Sequence, residues 1–291
     1  MTPAEIEAYL DEHKRKWSPN TVDRYRWYLL NLAKWLEEHR VAEPTRADLI
    51  RWLDSRMRWS ASAQYTATIS VRGYYRWLLG REESPAEKVP LPRRVYKPQR
   101  VLNNAQVQAI LAHFDVSTPK GIRDRALIML LLDSGLRAAE ITRLRIEHLN
   151  LPERRANVRV KGGKWGPLVY SGHTAECLAV WLAVREKVAA KTTAEVFCSI
   201  GGLTPGRRMT VSGLRVCFRR IGQALGFHFS PHDLRRTMAH MGVRNGAPES
   251  VLMEAMRLDS PAQIRTYTRE IRAEDFRPYL PVDHLAAASV E

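Results

Sequence analysis

The sequence predicts a mainly helical protein with one small antiparallel β-sheet, and three observations lead to this prediction. Helical periodicity continues from residue 2 to residue 79, and residues 80–100 then interrupt it with four prolines. Beyond the interruption, helical segments enclose one β-prone stretch that has glycines at its centre. We therefore expect an all-α domain in residues 1–80, a linker in residues 81–100, and an α+β domain in residues 101–291.

Four helices are expected in the first domain. Thr2 begins a capping-box pattern, and Ser18 followed by Pro19 favours the start of a second helix. Two more helical segments begin near Thr45 and Ser62. Their apolar faces can supply a core, so this domain is expected to be a compact four-helix unit.

The chain is strongly basic. Its 46 lysines and arginines exceed its 31 aspartates and glutamates, which leaves a formal net charge of +15. Such a charge attracts polyanions, and nucleic acid is the first partner that we expect, although a basic protein without that partner would carry the same charge. At least several of the arginines of the first domain are expected to contact backbone phosphates, although a solvated helix surface is the ordinary alternative for such charges. These arginines are Arg24, Arg26, Arg51, Arg56, Arg58, Arg72 and Arg76.

Cysteine usage and hydropathy indicate a cytoplasmic protein. Cys177, Cys198 and Cys217 lack metal-binding spacing, so we expect free thiols in a reducing compartment. No apolar run reaches the roughly 20 residues of a membrane-spanning helix. The N-terminus does not have the basic and then apolar segments of a secretion signal. A membrane is therefore not an expected partner.

The second domain is expected to combine helices with a hairpin. β-prone residues flank Lys161-Gly162-Gly163-Lys164, which predicts a hairpin with these four residues at its tip. A tail is expected from Arg272 onward. Helices are expected at residues 103–113, 120–134, 138–146, 174–190, 210–225, 231–245, 248–256 and 260–269.

Two segments of this domain present a cation in an unusual setting. Gly135 allows a turn into a helix whose first turn carries Arg137, so a phosphate can be held there, and Glu140 can orient the guanidinium. At the hairpin tip, Lys161 can reach into a groove and protonate a departing alkoxide. Each feature alone is more typical of a surface ion pair or a simple phosphate contact.

Two later segments present further reactive groups. His232 and Arg235 are three residues apart on one helical face, and they offer phosphate ligands and a group that titrates near neutrality. Tyr267 lies in a short C-terminal helix, and a phenol is a poor nucleophile unless nearby cations stabilise its developing charge. A surface pair and a packing tyrosine are the ordinary interpretations of each segment alone.

Together these residues resemble the active site of the tyrosine recombinases of the phage-integrase and Xer type. Arg137, Lys161, His232, Arg235 and Tyr267 occur in the order, and at close to the spacing, of that family. Residues 18–25 resemble the start of the family's core-binding domain, a SAM-like four-helix unit. The resemblance covers nearly the whole chain, and it implies the family's α+β catalytic fold for the second domain.

One motif departs from the family pattern. Nine residues before Tyr267, where the family usually has histidine or tryptophan after a glycine, this chain has Leu258 after Arg257. Leucine cannot donate a hydrogen bond to the scissile phosphate, although it can support the tyrosine-bearing helix by packing. The departure puts the reaction rate in question more than the fold, and Arg257 is a candidate to compensate for it.

The resemblance implies a mechanism that needs no metal and no cofactor. Tyr267 attacks the scissile phosphate and forms a 3′-phosphotyrosyl bond. Arg137 and Arg235 neutralise charge on the phosphate oxygens, and Lys161 protonates the departing 5′-oxygen. His232 assists proton transfer or holds the phosphate.

The resemblance also implies an assembly. Strand exchange through a Holliday junction needs two double-stranded DNA sites and four protomers of this chain. The tail after Arg272 is expected to dock on a neighbouring protomer or, in the simpler interpretation, to pack on its own domain. The apolar residues of the tail are Phe276, Tyr279, Leu280, Leu285 and Ala286.

Two other functions stay open at this point. A type IB topoisomerase-like enzyme would use similar chemistry on one duplex, although the four-helix domain and the linker favour a recombinase. Leu258 can instead mark a catalytically weakened, site-specific DNA-binding protein. Among recombinases, the same departure favours the DNA integration or excision of a mobile element over chromosome-dimer resolution.

Overall fold

The mainly helical fold with one small antiparallel sheet is confirmed. The computed structural model describes residues 1–93, 100–160, 163–258, 260 and 264. Within these residues the chain forms eleven α-helices and three β-strands. It divides into two compact units, Met1–Lys97 and Pro98–Glu291. None of the helices in this described part combines the length and the hydropathy of a membrane-spanning helix.

The first unit contains four helices that begin close to the predicted positions. Their bounds are Pro3–His13 (α1), Pro19–Glu38 (α2), Arg46–Asp54 (α3) and Ala61–Leu79 (α4). The side chain of Thr2 caps α1 in a capping box, and Ser18 accepts the backbone N–H of Thr21 at 3.2 Å. Helix α4 begins after the cap residue Ser60. A polar side chain before each helix therefore satisfies an N–H that has no partner inside the helix.

The core of the first unit is formed by one face of each helix. Ala86 and Val89, which follow α4, also belong to this core. The Arg72 guanidinium donates to the carbonyl of Val89, which holds the segment after α4 against the helices. The most deeply buried side chains of the unit include Ile6, Tyr9, Leu10, Leu29, Leu32, Trp52 and Tyr74.

In its described residues, the second unit places seven α-helices around a three-stranded antiparallel sheet of order β1-β2-β3. Helix α6 packs against α8 and α10, which places α6 at the centre of this core. Cys198 and Cys217 are buried, Cys177 is half-buried, and all three are free thiols, as the sequence predicted. The elements are Asn104–Ala112 (α5), Pro119–Ser134 (α6), Ala138–Ile141 (α7), Leu149–Asn150 (β1), Arg155–Arg159 (β2), Trp165–Val169 (β3), Gly172–Val188 (α8), Val211–Leu225 (α9), Pro231–Arg244 (α10) and Glu249–Met256 (α11).

The predicted hairpin is formed by β2 and β3. Arg159 pairs with Trp165, and the N–H of Val160 donates to the carbonyl of Lys164 at 2.8 Å. Buried and exposed residues alternate along both strands, which directs one face of the hairpin toward the core. Lys161 and Gly162 of the predicted tip lie outside the described residues.

The helix expected at residues 138–146 is shorter than predicted. Helix α7 ends at Ile141, and a 3-10 helix follows at Ile146–His148. The carbonyl of Leu144 accepts the N–H of Val196 at 2.7 Å, and the N–H of Ile146 donates to the carbonyl of Ala194 at 3.0 Å. Because a distant segment pairs with these backbone groups, the α-helix cannot continue through them. The two-residue strand β1 was not predicted.

Candidate active site

The turn between α6 and α7 depends on a glycine. Gly135 has a φ of 56°, in the left-handed region, and ends α6. A Cβ at this position would lie 3.3 Å from Sδ of Met238 and 3.6 Å from Cγ of Arg235. Glycine therefore meets two requirements here, the backbone conformation and the close approach of α10.

Arg137 lies immediately before α7, at the N-cap position of that helix. Its Nη1 donates to Oε1 of Glu140 at 2.8 Å, and its backbone N–H donates to Oε2 at 2.9 Å. The Glu140 side chain is 5% exposed, whereas that of Arg137 is 39% exposed. The expectation that Glu140 orients this guanidinium is thus supported, since a buried carboxylate fixes an arginine that still reaches solvent.

Arg235 connects three segments of the site from within the core. It is 1% exposed, its Nη1 donates to the carbonyl of Gly135, and its Nη2 donates to the carbonyl of Met256 at 2.7 Å. These contacts join α10 to the α6–α7 turn and to the end of α11. A guanidinium has five N–H donors in a planar fork, which suits it to bind several acceptors at once.

His232 lies in the first turn of α10 and lines the groove that the site forms. Its pKa is lowered to about 4, first by desolvation of the ring and then by the charges of Arg236, Arg235 and Arg137, while Asp233 opposes the shift. The surroundings that the fold gives His232 therefore lower this pKa below the near-neutral value expected from the sequence. The sequence does not show how many cations the fold gathers around this ring.

We expect His232→Gln to reduce the loss of stability on acidification. The unfolded chain takes up this proton near the ordinary pKa of 6.5, whereas the folded protein takes it up only near 4. Stability contributed by His232 is therefore complete above pH 6.5 and is lost as the pH falls toward 4. Thermal melting at pH 7 and pH 5 should show a larger drop in Tm for the wild type than for His232→Gln.

The control for this measurement is His173→Gln, which changes an exposed histidine on α8. This variant should follow the wild type at both pH values, because residue 173 does not line the site that contains His232. Equal drops in Tm for the wild type and His232→Gln would contradict the lowered pKa.

A groove of about 330 Å³ brings the side chains of Arg137, His232 and Arg235 together. It contains one cation that the sequence analysis missed, Arg215 of α9, which is exposed and makes no hydrogen bond or ion pair within the described ranges. Its position one residue after the buried Leu214 indicates an outward-facing arginine, but no local motif marks it. The lining residues are Leu136, Arg137, Ala138, Arg215, Ser230, Pro231, His232 and Arg235.

The two departures from the family pattern lie at the end of α11. Leu258 is 9% exposed and packs in one apolar cluster with Met256 and Ile264, which agrees with a supporting role for leucine. Arg257 turns its side chain into the protein and donates to backbone carbonyls. Tyr267, Lys161 and the tail from Arg272 lie outside the described residues, as does the predicted helix 260–269 apart from residues 260 and 264.

Most of the seven arginines of the first unit contact their own domain. Arg26 pairs with Glu7, and Arg76 pairs with Glu87. Arg51, Arg56 and Arg72 contact Asp48, Asn31 and the carbonyl of Val89, respectively. Arg24 and Arg58 are exposed. The expected phosphate contacts of this group stay a prediction, and the exposed pair is best suited to make them.

Comparison with known proteins identifies both units. Residues 100–274 match the model of the phage integrase family, and residues 6–82 match the phage integrase N-terminal SAM-like domain. The tyrosine recombinase XerD of Ralstonia nicotianae is 30% identical over 266 residues, which cover 87% of this chain and 84% of the relative. The tyrosine recombinase XerC of Pseudomonas aeruginosa is 30% identical over 247 residues, which cover 81% of this chain and 80% of that relative.

Solved structures share the fold at lower sequence identity. The XerH site-specific recombinase bound to a palindromic difH substrate, a post-cleavage complex, has a TM-score of 0.75 at 19% identity and covers 96% of this chain and 83% of its own. The Tn1549 transposon integrase in complex with circular intermediate DNA has a TM-score of 0.72 at 17% identity, and the match covers 95% of this chain and 98% of the integrase chain. The chain therefore belongs to the phage integrase family, the tyrosine recombinases, which are site-specific DNA strand-transferring enzymes.

Proposed function

We propose that this chain cleaves and rejoins DNA at a specific site through a 3′-phosphotyrosyl bond formed by Tyr267. The observation that carries the proposal is the convergence of Arg137 and Arg235 on one groove. Arg137 precedes α7 and Arg235 lies on α10, and Glu140 and two backbone carbonyls fix their guanidinium groups. Two fixed cations at one groove suit the non-bridging oxygens of a phosphodiester, whose charge grows in the transition state.

The proposed reaction exchanges one phosphoester for another. The phenolic oxygen of Tyr267 bonds to phosphorus, the bond from phosphorus to the 5′-oxygen breaks, and Lys161 gives that oxygen a proton. Neutral His232 can accept the phenolic proton, because its lowered pKa leaves the ring unprotonated at neutral pH. The 5′-hydroxyl of a partner strand reverses these steps and restores the DNA without an external energy source.

DNA is the proposed partner of both units. The XerH and Tn1549 integrase structures that share this fold are complexes with DNA. The net charge of +15 favours the same partner. We further propose that four protomers act on two duplexes and pass through a Holliday junction, with the tail after Arg272 as the contact between protomers.

The proposed setting is the integration or excision of a mobile element in the cytoplasm. The three free thiols suit a reducing compartment. The one observation that favours a mobile element is the Arg257-Leu258 departure from the family motif.

Trapping the covalent intermediate tests the proposed function. Fragments of the DNA that flanks the gene, each with a nick beside one candidate cleavage position, lose the short 5′-hydroxyl strand after attack, so rejoining cannot occur. We expect an SDS-resistant adduct with the wild-type protein. Trypsin cuts after Arg265 and Arg269, so mass spectrometry should find the nucleotide on the peptide of residues 266–269. Shuffled DNA of the same composition is the control.

Other outcomes favour the alternative functions. Specific DNA retention with no adduct at any nick position would overturn the proposal and favour a DNA-binding protein in which Leu258 marks lost catalysis. Relaxation of supercoiled plasmid without strand exchange between two sites would favour a type IB topoisomerase-like enzyme.

Arg215→Ala is expected to weaken DNA binding to specific and unrelated sequences alike. Arg215 lines the groove without an ionic partner in the described part of the chain, so a phosphate is its natural partner. One lost phosphate contact lowers the slope of log K against log salt by about one. Fluorescence anisotropy over a salt series measures that slope. Lys187→Ala is the control, because this exposed lysine lies on α8, which does not line the groove.

A further inference from the structure

Arg257 occupies a backbone conformation that favours glycine. It ends α11 with a φ of 54°, in the left-handed region. A residue with a long side chain rarely adopts this conformation, and it persists only where the surrounding contacts impose it. Arg40 and Arg154 also have a positive φ but are exposed, so what distinguishes Arg257 is the set of contacts that its side chain makes.

The Arg257 side chain connects three elements around the site. Its Nη2 donates to the carbonyl of Ser134, at the end of α6, at 3.0 Å and lies 3.7 Å from Oε2 of Glu140 on α7. Its Nη1 donates to the carbonyl of Ala255 at 2.8 Å and contacts the carbonyl of Pro167 on β3 at 3.3 Å. The side chain is 5% exposed. Arg257 is thus a buried cation with several hydrogen-bond acceptors around it.

Strand β3 leaves space for this arginine. A Cβ on Gly166 would lie 2.9 Å from Cδ and 3.2 Å from Cγ of Arg257. The absence of a side chain at Gly166 therefore leaves room for the Arg257 side chain against β3. Two positions distant in sequence, a glycine in β3 and an arginine after α11, fit each other.

The charge of Arg257 is held at an energetic cost. Desolvation lowers its pKa to about 10, the attraction of Glu140 opposes that shift, and repulsion from Arg235 and Arg137 adds to it. The group nevertheless stays protonated at neutral pH. Arg137 and Arg257 share the buried carboxylate of Glu140. This carboxylate accepts a hydrogen bond from Arg137 and forms an ion pair with Arg257.

We propose that Arg257 is a positioning residue that fixes Glu140, and through it Arg137, against β3 of the hairpin. This inference rests on the proposed function, in which Arg137 binds the scissile phosphate. Arg257 does not replace the missing histidine or tryptophan as a phosphate ligand, because its guanidinium is directed at backbone carbonyls and Glu140. It acts by keeping the Arg137 guanidinium in place while β3 stays attached to the α6–α7 turn.

The test compares three substitutions of Arg257. Arg257→Met keeps the length and removes the charge, Arg257→Gly removes the side chain and relieves the backbone, and Arg257→Lys keeps the charge without the planar fork. Arg185→Met is the matched control. Arg185 is also a buried arginine that donates to three backbone carbonyls, at Thr193, Glu195 and Val196, and it does not line the groove.

Single-turnover cleavage of nicked DNA at saturating protein separates rate from affinity. We expect Arg257→Met and Arg257→Gly to bind DNA as the wild type does and to cleave about tenfold to a hundredfold more slowly, because a small misplacement of a ligand to the reacting group is costly. Arg257→Lys should recover part of the rate. Arg185→Met should lower Tm and leave the rate per folded molecule unchanged.

A second substrate gives a readout that a purely structural role would not change. A methylphosphonate at the cleavage position replaces one non-bridging oxygen by a methyl group, so its transition state carries less negative charge for Arg137 to neutralise. The rate ratio between wild type and Arg257→Met should therefore shrink on this substrate if Arg257 acts through Arg137.

The outcomes distinguish this inference from the proposed function. An Arg257→Gly protein that folds and cleaves at the wild-type rate would overturn the positioning role while the function stands. An Arg257→Met defect of equal size on phosphate and methylphosphonate DNA would also overturn the positioning role. A wild-type protein that forms no adduct would overturn the proposed function itself, whatever the variants do. If Arg257→Met does not fold, the same two comparisons are made with Arg257→Gly, whose backbone suits this position.

Discussion

Replacing Tyr267 by phenylalanine is expected to abolish the covalent protein–DNA adduct and leave DNA retention unchanged. The substitution removes one oxygen atom, the proposed nucleophile, and keeps the ring. Arg137, Arg235 and the other groove residues remain to bind the DNA. The measurement is SDS-resistant adduct on nicked DNA in parallel with a mobility-shift assay.

Tyr65→Phe is the matched control for this prediction, since it removes a phenolic oxygen from the first unit. It should form the adduct as the wild type does. An adduct that persists in Tyr267→Phe would show that another residue is the nucleophile, and loss of DNA retention would show that Tyr267 has a structural role instead.

Arg235→Lys is expected to lower single-turnover cleavage by about a hundredfold to a thousandfold, the usual effect of removing a donor to developing negative charge. Lysine keeps the charge, but its compact ammonium lacks the planar fork with which arginine spans the carbonyls of Gly135 and Met256. Quenched-flow or manual sampling of adduct formation at saturating protein gives the rate.

The same substitution should also reduce stability, because each buried carbonyl that loses its donor costs about 1–3 kcal/mol. Arg185→Lys is the matched control, a buried arginine that donates to backbone carbonyls outside the groove. Comparable losses of Tm with a rate defect only in Arg235→Lys would support a direct phosphate contact. A wild-type cleavage rate in Arg235→Lys would remove this arginine from the proposed mechanism.

The fold follows from local sequence wherever a helix start has its own cap. Thr2, Ser18 and Thr45 accept backbone N–H groups at the helix starts that the sequence predicted. The prediction was less accurate where distant backbone decides the structure, as in the helix that ends at Ile141 because Leu144 pairs with residues beyond α8. Local capping involves neighbouring residues only, so a sequence pattern can reveal it.

By itself, the sequence determined the pairings between near neighbours in the site, such as Arg137 with Glu140, because three residues span one helical turn. Only the tertiary structure decided that Arg235 would reach the carbonyl of Gly135, 100 residues earlier, and that Arg257 would approach Glu140. It also decided the lowered pKa of His232. The reason is physical: burial and the field of several cations depend on segments that are distant in sequence and meet only when the chain folds.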